Sequence, residues 1–271
     1  MKIAFIGGGN MATALIAGLA KELGAGARVH VVDPNPEALD KMASQFGAST
    51  ATAIDAAVAS CEVVVLAVKP QQMREVAAAL APHLGAGPLV LSIAAGICSA
   101  DLARWLGGYG AIVRTMPNTP ALIGMSITGM VATNGVSAAQ RAAADSVMRA
   151  VGKTVWLDSE ELIDPVTAVS GSGPAYVFYF LEAMQAAAVE MGLSAEQGKE
   201  LALATFAGAA ELAAQSPESL EVLRQRVTSK GGTTYAAITS MEASGVKPAI
   251  IEAMKAAAAR GRALGEELGK D

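Results

Sequence analysis

Short runs of consecutive apolar residues recur through the first half of the chain. Because they are continuous rather than alternating with polar residues, they predict strands buried on both faces. Ala-rich stretches between them predict helices, and this alternation predicts right-handed crossovers and a doubly wound parallel sheet. Strands are predicted at 2–7, 28–33, 62–68, 88–94, 110–116, 126–132 and 153–158, and helices at about 10–23, 36–46, 53–59, 70–82, 99–107 and 137–151.

The strand pattern stops after about residue 158, and an all-helical pattern follows. Ser194 and the Ser216–Pro217 pair are helix start signals, while Gly192 and Gly245 are typical of helix ends. The chain is therefore predicted to be an α/β domain over 1–158 followed by a helical domain over 159–271. The predicted helices of the second domain are 160–168, 173–192, 194–215, 217–226, 232–244 and 246–268.

Composition narrows the class of protein. Hydrophobic residues make up 52% and charged residues 17% of the chain, which is typical of a globular protein with a large core. The net charge of −5, without a dense Lys/Arg cluster, predicts no nucleic-acid partner. Cys61 and Cys98 lack metal-ligand spacing, so we predict two small buried thiols, no metal and a cytoplasmic location.

The amino-terminal apolar run is interrupted by the sequence GGGN at residues 7–10. A secretory signal needs a continuous apolar helix there, so we predict a strand, a turn and a helix instead. No apolar stretch has the length of a membrane span, and we expect no membrane partner.

The interrupted run contains the pattern Gly7-x-Gly9-x-x-Ala12, a dinucleotide-binding fingerprint when it joins a strand to a helix. Gly7 permits a tight turn, Gly9 lets the backbone approach a pyrophosphate, and Ala12 allows close helix packing. The amides of the helix start, including those of Asn10 and Met11, then face the anion. The alternative is a glycine-rich turn without a ligand.

Asp33 stands at the end of the second predicted strand, where an acid accepts a hydrogen bond from the ribose 2′-hydroxyl of NADH. Asn35 offers a donor to a 2′-phosphate, so NADH and NADPH both remain open. Further cofactor contacts are predicted where other strands end. They are Ala67, Val68, Lys69, Pro70, Ala94 and Asn118.

Two of these later contacts have a plain structural alternative. Lys69 is either a cofactor contact or a solvated surface charge, and Asn118 either orients a ligand or caps a turn. Small residues in the run SIAAG (92–96) would let a nicotinamide lie against the backbone, or they simply terminate the strand.

A second candidate site is the run TSKGGTT at 228–234, in a region otherwise predicted to be helical. If a helix begins near Gly232, its first amides and the hydroxyls of Ser229 and Thr234 suit an anion. The alternative is a loop with capping residues. His30 and His83 are both predicted to be structural, which leaves no histidine to act as a general acid in catalysis.

The runs FIGGGNMA, AVKP, SIAAG, RTMPNTPA, VSGSGPAYVF and TSKGGTT occur in this order along the chain. Together they resemble the pyrroline-5-carboxylate reductases, and the resemblance covers essentially the whole chain. Single motifs are weak, but MPNTPA, SGSGPAY and GGTT in this order are specific. One departure is Lys230, where many members have Pro. It removes no hydroxyl and no backbone donor.

The resemblance implies a Rossmann-like nucleotide-binding domain and a helical dimerisation domain. It implies a homodimer, in several members a ring of dimers (a decamer), and an active site completed at the dimer interface. The implied reaction is NADH- or NADPH-dependent reduction of 1-pyrroline-5-carboxylate to L-proline. By the same resemblance, Ser229 and the Gly232, Thr233 and Thr234 amides hold the substrate carboxylate, with the Thr234 hydroxyl near the imine nitrogen as the catalytic group.

Two alternative hypotheses about the function remain. A β-hydroxyacid dehydrogenase shares the fingerprint and the two-domain layout, but that class resembles G-x-G-x-x-x-K in its long helix, and Val177 stands at the lysine position here. A nucleotide sensor without catalysis would need the first glycine motif but not a second anion cradle.

Overall fold

A mixed eight-stranded sheet is the frame of the first part of the chain. The structure, a computed structural model, describes residues 1–24, 28–85 and 87–270. The strands follow the spatial order β3-β2-β1-β4-β5-β6-β7-β8. They are β1 (Lys2–Ile6), β2 (Arg28–Val32), β3 (Ser49–Ala51), β4 (Val63–Leu66), β5 (Leu89–Ser92), β6 (Ile112–Met116), β7 (Ser126–Ala132) and β8 (Gly152–Trp156).

Helices connect these strands as predicted. They are α1 (Asn10–Leu23), α2 (Pro36–Phe46), α3 (Ala56–Ala59), α4 (Met73–Leu80), α5 (Ser99–Trp105) and α6 (Ala138–Arg149). The first six strands are parallel, and the strand order reverses between β1 and β4. Such a reversal opens a crevice at the carboxyl ends of the strands, where ligands bind in open α/β sheets.

Two features of the sheet differ from the prediction. β3 was missed because three small or hydroxyl-bearing residues give no apolar run. β7 runs antiparallel to β6, since the connection between them is too short for a crossover helix. β8 runs parallel to β7 and is connected to it by α6. The pair β6–β7 is therefore the antiparallel junction between two parallel parts of the sheet.

Successive strand residues face opposite sides of the sheet, and each side has its own core. On one side Ile3 and Phe5 belong to a cluster with α1, α2 and α6; on the other, Ala4 and Ile6 belong to a cluster with α3, α4 and α5. Phe5 is fully buried. The central strands therefore hold their carboxyl ends in fixed positions.

Six further helices follow the sheet. They are α7 (Ile163–Val166), α8 (Gly173–Glu190), α9 (Ala195–Gln215), α10 (Leu220–Arg226), α11 (Thr233–Ala243) and α12 (Val246–Leu268). The chain divides into two compact units, one of residues 1–172 with 255–271 and one of residues 173–254. The domain boundary predicted at residues 158 and 159 stays a prediction.

Several predicted helix ends are confirmed, and two predicted helices change. Ser194 caps α9 in a reciprocal capping box with Gln197. Gly192 and Gly245 both have positive φ at helix ends. The helix predicted to begin at Pro217 begins at Leu220 instead, because Ser219 caps it. The helix predicted at 160–168 is a 3₁₀ turn, the short α7 and a π-helical turn at Thr167–Gly171.

In the helical unit, α8 and α9 cross closely. A Cβ on Gly198 would lie 2.8 Å from the Cβ of Ala188, so glycine lets the helix backbones approach. Phe180 and Phe206 place their rings 6.5 Å apart. Few side chains of this unit are buried, whereas the exposed large apolar ones include Val177, Phe178, Tyr179, Leu201, Leu203, Leu212 and Tyr235.

The last turns of α12 belong to the sheet unit. Glycines at intervals of four, Gly261, Gly265 and Gly269, form one stripe along the helix. A Cβ on Gly265 would lie 2.7 Å from the carbonyl oxygen of Gly96. The stripe therefore lets α12 pack on the turn that follows β5.

Only one of the two thiols is buried as predicted. Cys61 is buried, and burial raises its pKa. Cys98 is partly exposed and caps α5: its sulfur accepts from the Asp101 amide and donates to the Asp101 carboxylate at 2.8 Å. Desolvation and that hydrogen bond raise the pKa of Cys98. The prediction that Cys98 is a small apolar core residue is wrong.

Candidate active site

The turn after β1 is shaped by the neighbouring strand. Gly7 has a φ of 105°, which favours glycine, and a Cβ there would lie 2.6 Å from the carbonyl oxygen of Ala67. The Gly7 amide also donates to the carbonyl of Val32 at 2.8 Å. Glycine at position 7 is thus required by the backbone conformation and by the close approach of the segment that follows β4, as the fingerprint predicts.

The start of α1 is open. Gly9 is its N-cap in extended conformation, no side chain caps the helix, and no atom lies within 4 Å of a Cβ built on Gly9. Gly9 and Asn10 are exposed and Met11 is half-buried, whereas Ala12 is buried against the sheet. The first amides of a helix lack intrahelical partners, so this end offers donors and space to a pyrophosphate.

Asp33 lies beside this glycine turn. Its Oδ2 accepts a hydrogen bond from the Gly8 amide at 2.7 Å, and its Oδ1 accepts from the Asn35 amide at 2.8 Å. The Asn35 side chain caps α2 by accepting from the Glu37 amide at 3.0 Å. The acid predicted to bind a ribose is therefore held against the glycine turn, while the Asn35 carbonyl is already used.

The ends of β4 and β5 continue this edge. Ala67 and Val68 are half-buried, Lys69 is exposed, and Pro70 begins a short 3₁₀ turn that leads into α4. Ala94, which follows β5, is buried. The neighbouring amide of Ile93 donates to the carbonyl of Leu66 at the end of β4. The structure thus brings the predicted cofactor residues of β2, β1, β4 and β5 together, in that order.

Asn118 uses both ends of its side chain on the protein. Its Oδ1 accepts from the Ser126 hydroxyl at 3.1 Å and from the Ile127 amide at 3.2 Å, and its Nδ2 donates to the Ser170 carbonyl at 3.1 Å. Asn118 is only 8% exposed. These contacts tie the MPNTP loop to β7 and to the π-helical turn, which favours the structural alternative. The cofactor role of Asn118 stays a prediction.

In the helical unit, the TSKGGTT run turns between α10 and α11. Gly231 has a φ of 76°, and Gly232 is the N-cap of α11 in extended conformation without a side-chain cap. Ser229, Thr233 and Thr234 are exposed. No protein partner of these three hydroxyls occurs in the described part of the chain, and the first turn of α11 has no acid. The arrangement predicted for an anion, a helix that begins at this turn, is therefore present.

The two histidines lie in the sheet unit, outside both glycine turns in sequence. The Nδ1 of His30 lies 2.9 Å from the Ser49 hydroxyl, and its Nε2 lies 3.2 Å from Asp55, which caps α3. His83 ends a 3₁₀ turn after α4. His30 is therefore structural, as predicted.

A partly buried ion pair was missed by sequence reasoning. Arg114 on β6 is 5% exposed and donates from Nη1 to Glu160 at 2.9 Å, and the same carboxylate oxygen accepts from the Ser99 amide at 2.7 Å. It joins β6, the start of α5 and the segment that leads to α7. The available signal was an arginine inside the apolar run GAIVRTM.

Nothing in the described residues adds a metal or a membrane span. No group of three or more His, Cys, Asp or Glu side chains in residues 1–24, 28–85 and 87–270 is arranged to hold a metal ion. Over the same ranges, no helix combines the length and the apolarity that crossing a membrane requires.

An open glycine turn at a topological switch point, with an acid at the end of the adjacent strand, defines the Rossmann-type nicotinamide oxidoreductases. The first part of the chain has these features and matches, over residues 2–96, the family described as NADP oxidoreductase coenzyme F420-dependent. Residues 160–264 match the family described as pyrroline-5-carboxylate reductase dimerisation.

Full-length relatives identify the particular family. The pyrroline-5-carboxylate reductase of Pseudomonas aeruginosa is 47% identical over 269 residues, which cover 99% of this chain and 98% of that protein. The enzyme of Haemophilus influenzae is 41% identical and covers 97% of each chain. The chain therefore belongs to the pyrroline-5-carboxylate reductase family and is an NAD(P)H-dependent oxidoreductase.

Solved structures agree over the whole chain. A pyrroline-5-carboxylate reductase from Coxiella burnetii is 39% identical, with a TM-score of 0.90 and 97% of each chain covered. The Plasmodium falciparum pyrroline carboxylate reductase with NADP bound is 28% identical, with a TM-score of 0.86 and 98% of each chain covered. The predicted fold, a Rossmann-like sheet followed by a helical region, is confirmed.

Proposed function

We propose that this protein reduces 1-pyrroline-5-carboxylate to L-proline with NADH or NADPH, the last step of proline biosynthesis. The observation that carries the substrate assignment is the second open helix start. The pyrophosphate of a dinucleotide is accounted for by the first turn of α1. The uncapped start of α11, with the free hydroxyls of Ser229 and Thr234, fits a smaller anion such as the carboxylate of the imine.

The reaction does not require a strongly acidic or basic side chain. NADH or NADPH, when bound, would supply a hydride to the imine carbon and become oxidised, while the ring nitrogen would take a proton, so that the C=N bond becomes a C–N bond. An imine nitrogen is basic enough to be protonated by solvent or by a hydroxyl. Orientation of the two reactants can then supply much of the rate acceleration.

Each residue of the second turn has a distinct proposed role. The Ser229 hydroxyl and the amides of Gly232, Thr233 and Thr234 hold the carboxylate. The Thr234 hydroxyl donates to the imine nitrogen or relays its proton. The absence of a side-chain cap and of an acid in the first turn of α11 supports this assignment, because both would compete with a bound anion.

At the sheet edge, the proposed cofactor contacts follow the strand ends. The amides of Gly9, Asn10 and Met11 receive the pyrophosphate, and Asp33 receives the adenosine ribose. The remaining proposed contacts are Gly7, Asn35, Ala67, Val68, Lys69, Pro70, Ala94 and Asn118.

We also propose a homodimer formed through the helical unit. Large apolar side chains on α8 and α9, such as Phe178 at 59% and Tyr179 at 73% exposure, would otherwise face water. A ring of five such dimers and a cytoplasmic location remain parts of this proposal. Light scattering on the purified protein tests the assembly, since a monomer of 27.3 kDa would contradict the dimer.

The direct test is oxidation of NADH or NADPH on addition of 1-pyrroline-5-carboxylate to folded protein. Cofactor deuterated at the transferred position should place one deuterium on the ring carbon that was double-bonded to nitrogen. No turnover with either cofactor would refute the reductase. Oxidation of a β-hydroxyacid instead would favour the dehydrogenase, despite Val177 at its lysine position.

A further inference from the structure

The end of β2 decides which nicotinamide cofactor fits the sheet edge. We propose that Asp33 and the capped start of α2 select NADH, by accepting a free ribose 2′-hydroxyl and rejecting a 2′-phosphate. The inference rests on the proposed dinucleotide site but not on the identity of the imine substrate. Three observations support it: the fixed carboxylate of Asp33, the capped start of α2 and the position of the nearest basic side chains.

The carboxylate of Asp33 is fixed in place. One oxygen accepts from the Gly8 amide at 2.7 Å and the other from the Asn35 amide at 2.8 Å. A carboxylate has about four lone-pair sites, so each oxygen can still accept a hydrogen bond from a ribose hydroxyl. Two backbone amides from different segments oppose rotation of the side chain. Moving it aside for a phosphate would break both hydrogen bonds.

The start of α2 offers fewer free donors to a phosphate than the start of α1 does. Its first residue is Pro36, which has no N–H, and the amide of Glu37 is bonded to the Asn35 side chain at 3.0 Å. Glu37 also places an acid in the first turn. Of the first two amide positions of α2, one is therefore missing and the other is already used.

No Lys or Arg directly follows the end of β2 in the sequence. Between Arg28 and Lys69 the one basic side chain of that kind is Lys41, more than a full turn inside α2. Arg28 is at the opposite end of β2, and Lys69 follows β4, two strand spacings or about 10 Å from β2. A phosphate with nearly two negative charges would thus face the carboxylates of Asp33 and Glu37, and the segment from the end of β2 into the first turn of α2 carries no Lys or Arg to balance them.

Binding of fragments that lack nicotinamide tests this selection apart from the reaction. Isothermal titration calorimetry would compare ADP-ribose with 2′-phospho-ADP-ribose on the wild-type protein. We expect ADP-ribose to bind at least about tenfold more tightly, which equals 1.4 kcal/mol. Equal or tighter binding of the 2′-phosphate form, or no binding of either fragment, would overturn the proposal.

The variant Asp33→Asn assigns the effect to the side chain. It removes the charge and keeps one acceptor, so the preference for ADP-ribose should fall to about threefold or less. Asp40→Asn, an equal change of charge on the exposed part of α2, should keep the wild-type preference. An unchanged preference in a folded Asp33→Asn protein would remove Asp33 from the selection. If that variant does not fold, Glu37→Gln, expected to lower the preference by a smaller factor, replaces it. A protein with this preference but no imine reduction would contradict the reductase proposal alone.

Discussion

The two open helix starts of this protein have nearly the same backbone. Gly9 has φ −72° and ψ −176°, and Gly232 has φ −82° and ψ 176°; neither helix has a side-chain cap or an acid in its first turn. By contrast, side chains cap α2, α6, α9 and α10. A helix start with this backbone, without a side-chain cap and without an acid, therefore occurs in each unit of the chain.

The surroundings of the two starts differ. Behind Gly9 lie strands and a helix face that are fully buried, and Gly7 cannot accept a side chain. Around Gly232 the side chains are exposed, and most large apolar residues of that unit face solvent. The comparison teaches that the first helix start is supported by a densely packed sheet, whereas the second lies in a largely exposed helical unit, on a surface that the proposed dimer would bury.

The largest effect is expected from Thr234→Val. Loss of the hydroxyl should lower turnover about 100-fold or more, because a positioned proton donor contributes on that scale. The dissociation constant of NADH should stay the same, since the first turn is intact. Steady-state kinetics and fluorescence titration measure the two quantities. The exposed Thr239→Val on the same helix is the control, and equal turnover in both variants would remove Thr234 from the mechanism.

The next effect separates two glycines of the first turn. Gly7→Ala should lower the free energy of unfolding by about 2–4 kcal/mol, because a Cβ meets the Ala67 carbonyl at positive φ. Gly9→Ala should change it by less than about 0.5 kcal/mol, since the space is empty, yet weaken NADH binding about tenfold. Urea unfolding and cofactor titration test both. Equal stability losses would contradict the division into a fold glycine and a ligand glycine.

Ser229→Ala should have a smaller effect on the second turn. Removing one hydrogen bond to the substrate carboxylate should raise KM about tenfold with turnover nearly unchanged. The matched control is Ser240→Ala, an exposed serine farther along α11. A drop in turnover without a change in KM would instead assign Ser229 to the chemical step.

The smallest effect concerns the stability of the sheet unit. Partial burial raises the pKa of Asp145, but hydrogen bonds from Thr154 and Arg149 outweigh it and lower the pKa overall. A lowered folded-state pKa stabilises the fold above the usual value near 3.9 and ceases to do so as the pH falls through the folded value. Asp145→Asn should therefore cost about 1 kcal/mol at pH 7, and this cost should vanish in acid.

Thermal unfolding across pH, at two protein concentrations, measures that prediction. Within the described part of the chain, the side-chain hydrogen-bond partners of Asp145 are Arg149 on α6 and Thr154 and Trp156 on β8, so its effect should not depend on concentration. A cost that stays constant through the acid range in which Asp145 becomes protonated in the folded protein would mean that the charge is not its cause.

Much of the fold was predictable, since buried strands and capped helices have local signatures. The apolar runs predict β1, β4 and β5, and Ser194 with Gln197 predicts the start of α9. β3 was not predictable from its three residues, because its pairing with β2 supplies what its composition lacks. The segment at 160–168 was predicted as one helix, because a π-helical turn has the same composition as an α-helical one.

The candidate site was predictable where function needs a particular backbone. Gly7, Gly9 and the GGTT run imply their conformations without any knowledge of their neighbours. Asn118 was not, because whether an amide binds a ligand or a carbonyl depends on which segments reach it. Cys98 was misjudged for the same reason: its role as a cap depends on the Asp101 amide.

The sequence by itself determined the elements, the two open helix starts and the family, since these depend on residues close together in the chain. Only the tertiary structure decided the antiparallel direction of β7, the partners of Arg114 and Asn118, and the approach of the Gly261, Gly265 and Gly269 stripe to its neighbours. The fixed position of Asp33 also belongs to that second group. The physical reason is that each of these depends on contacts between segments far apart in sequence, which no local pattern encodes.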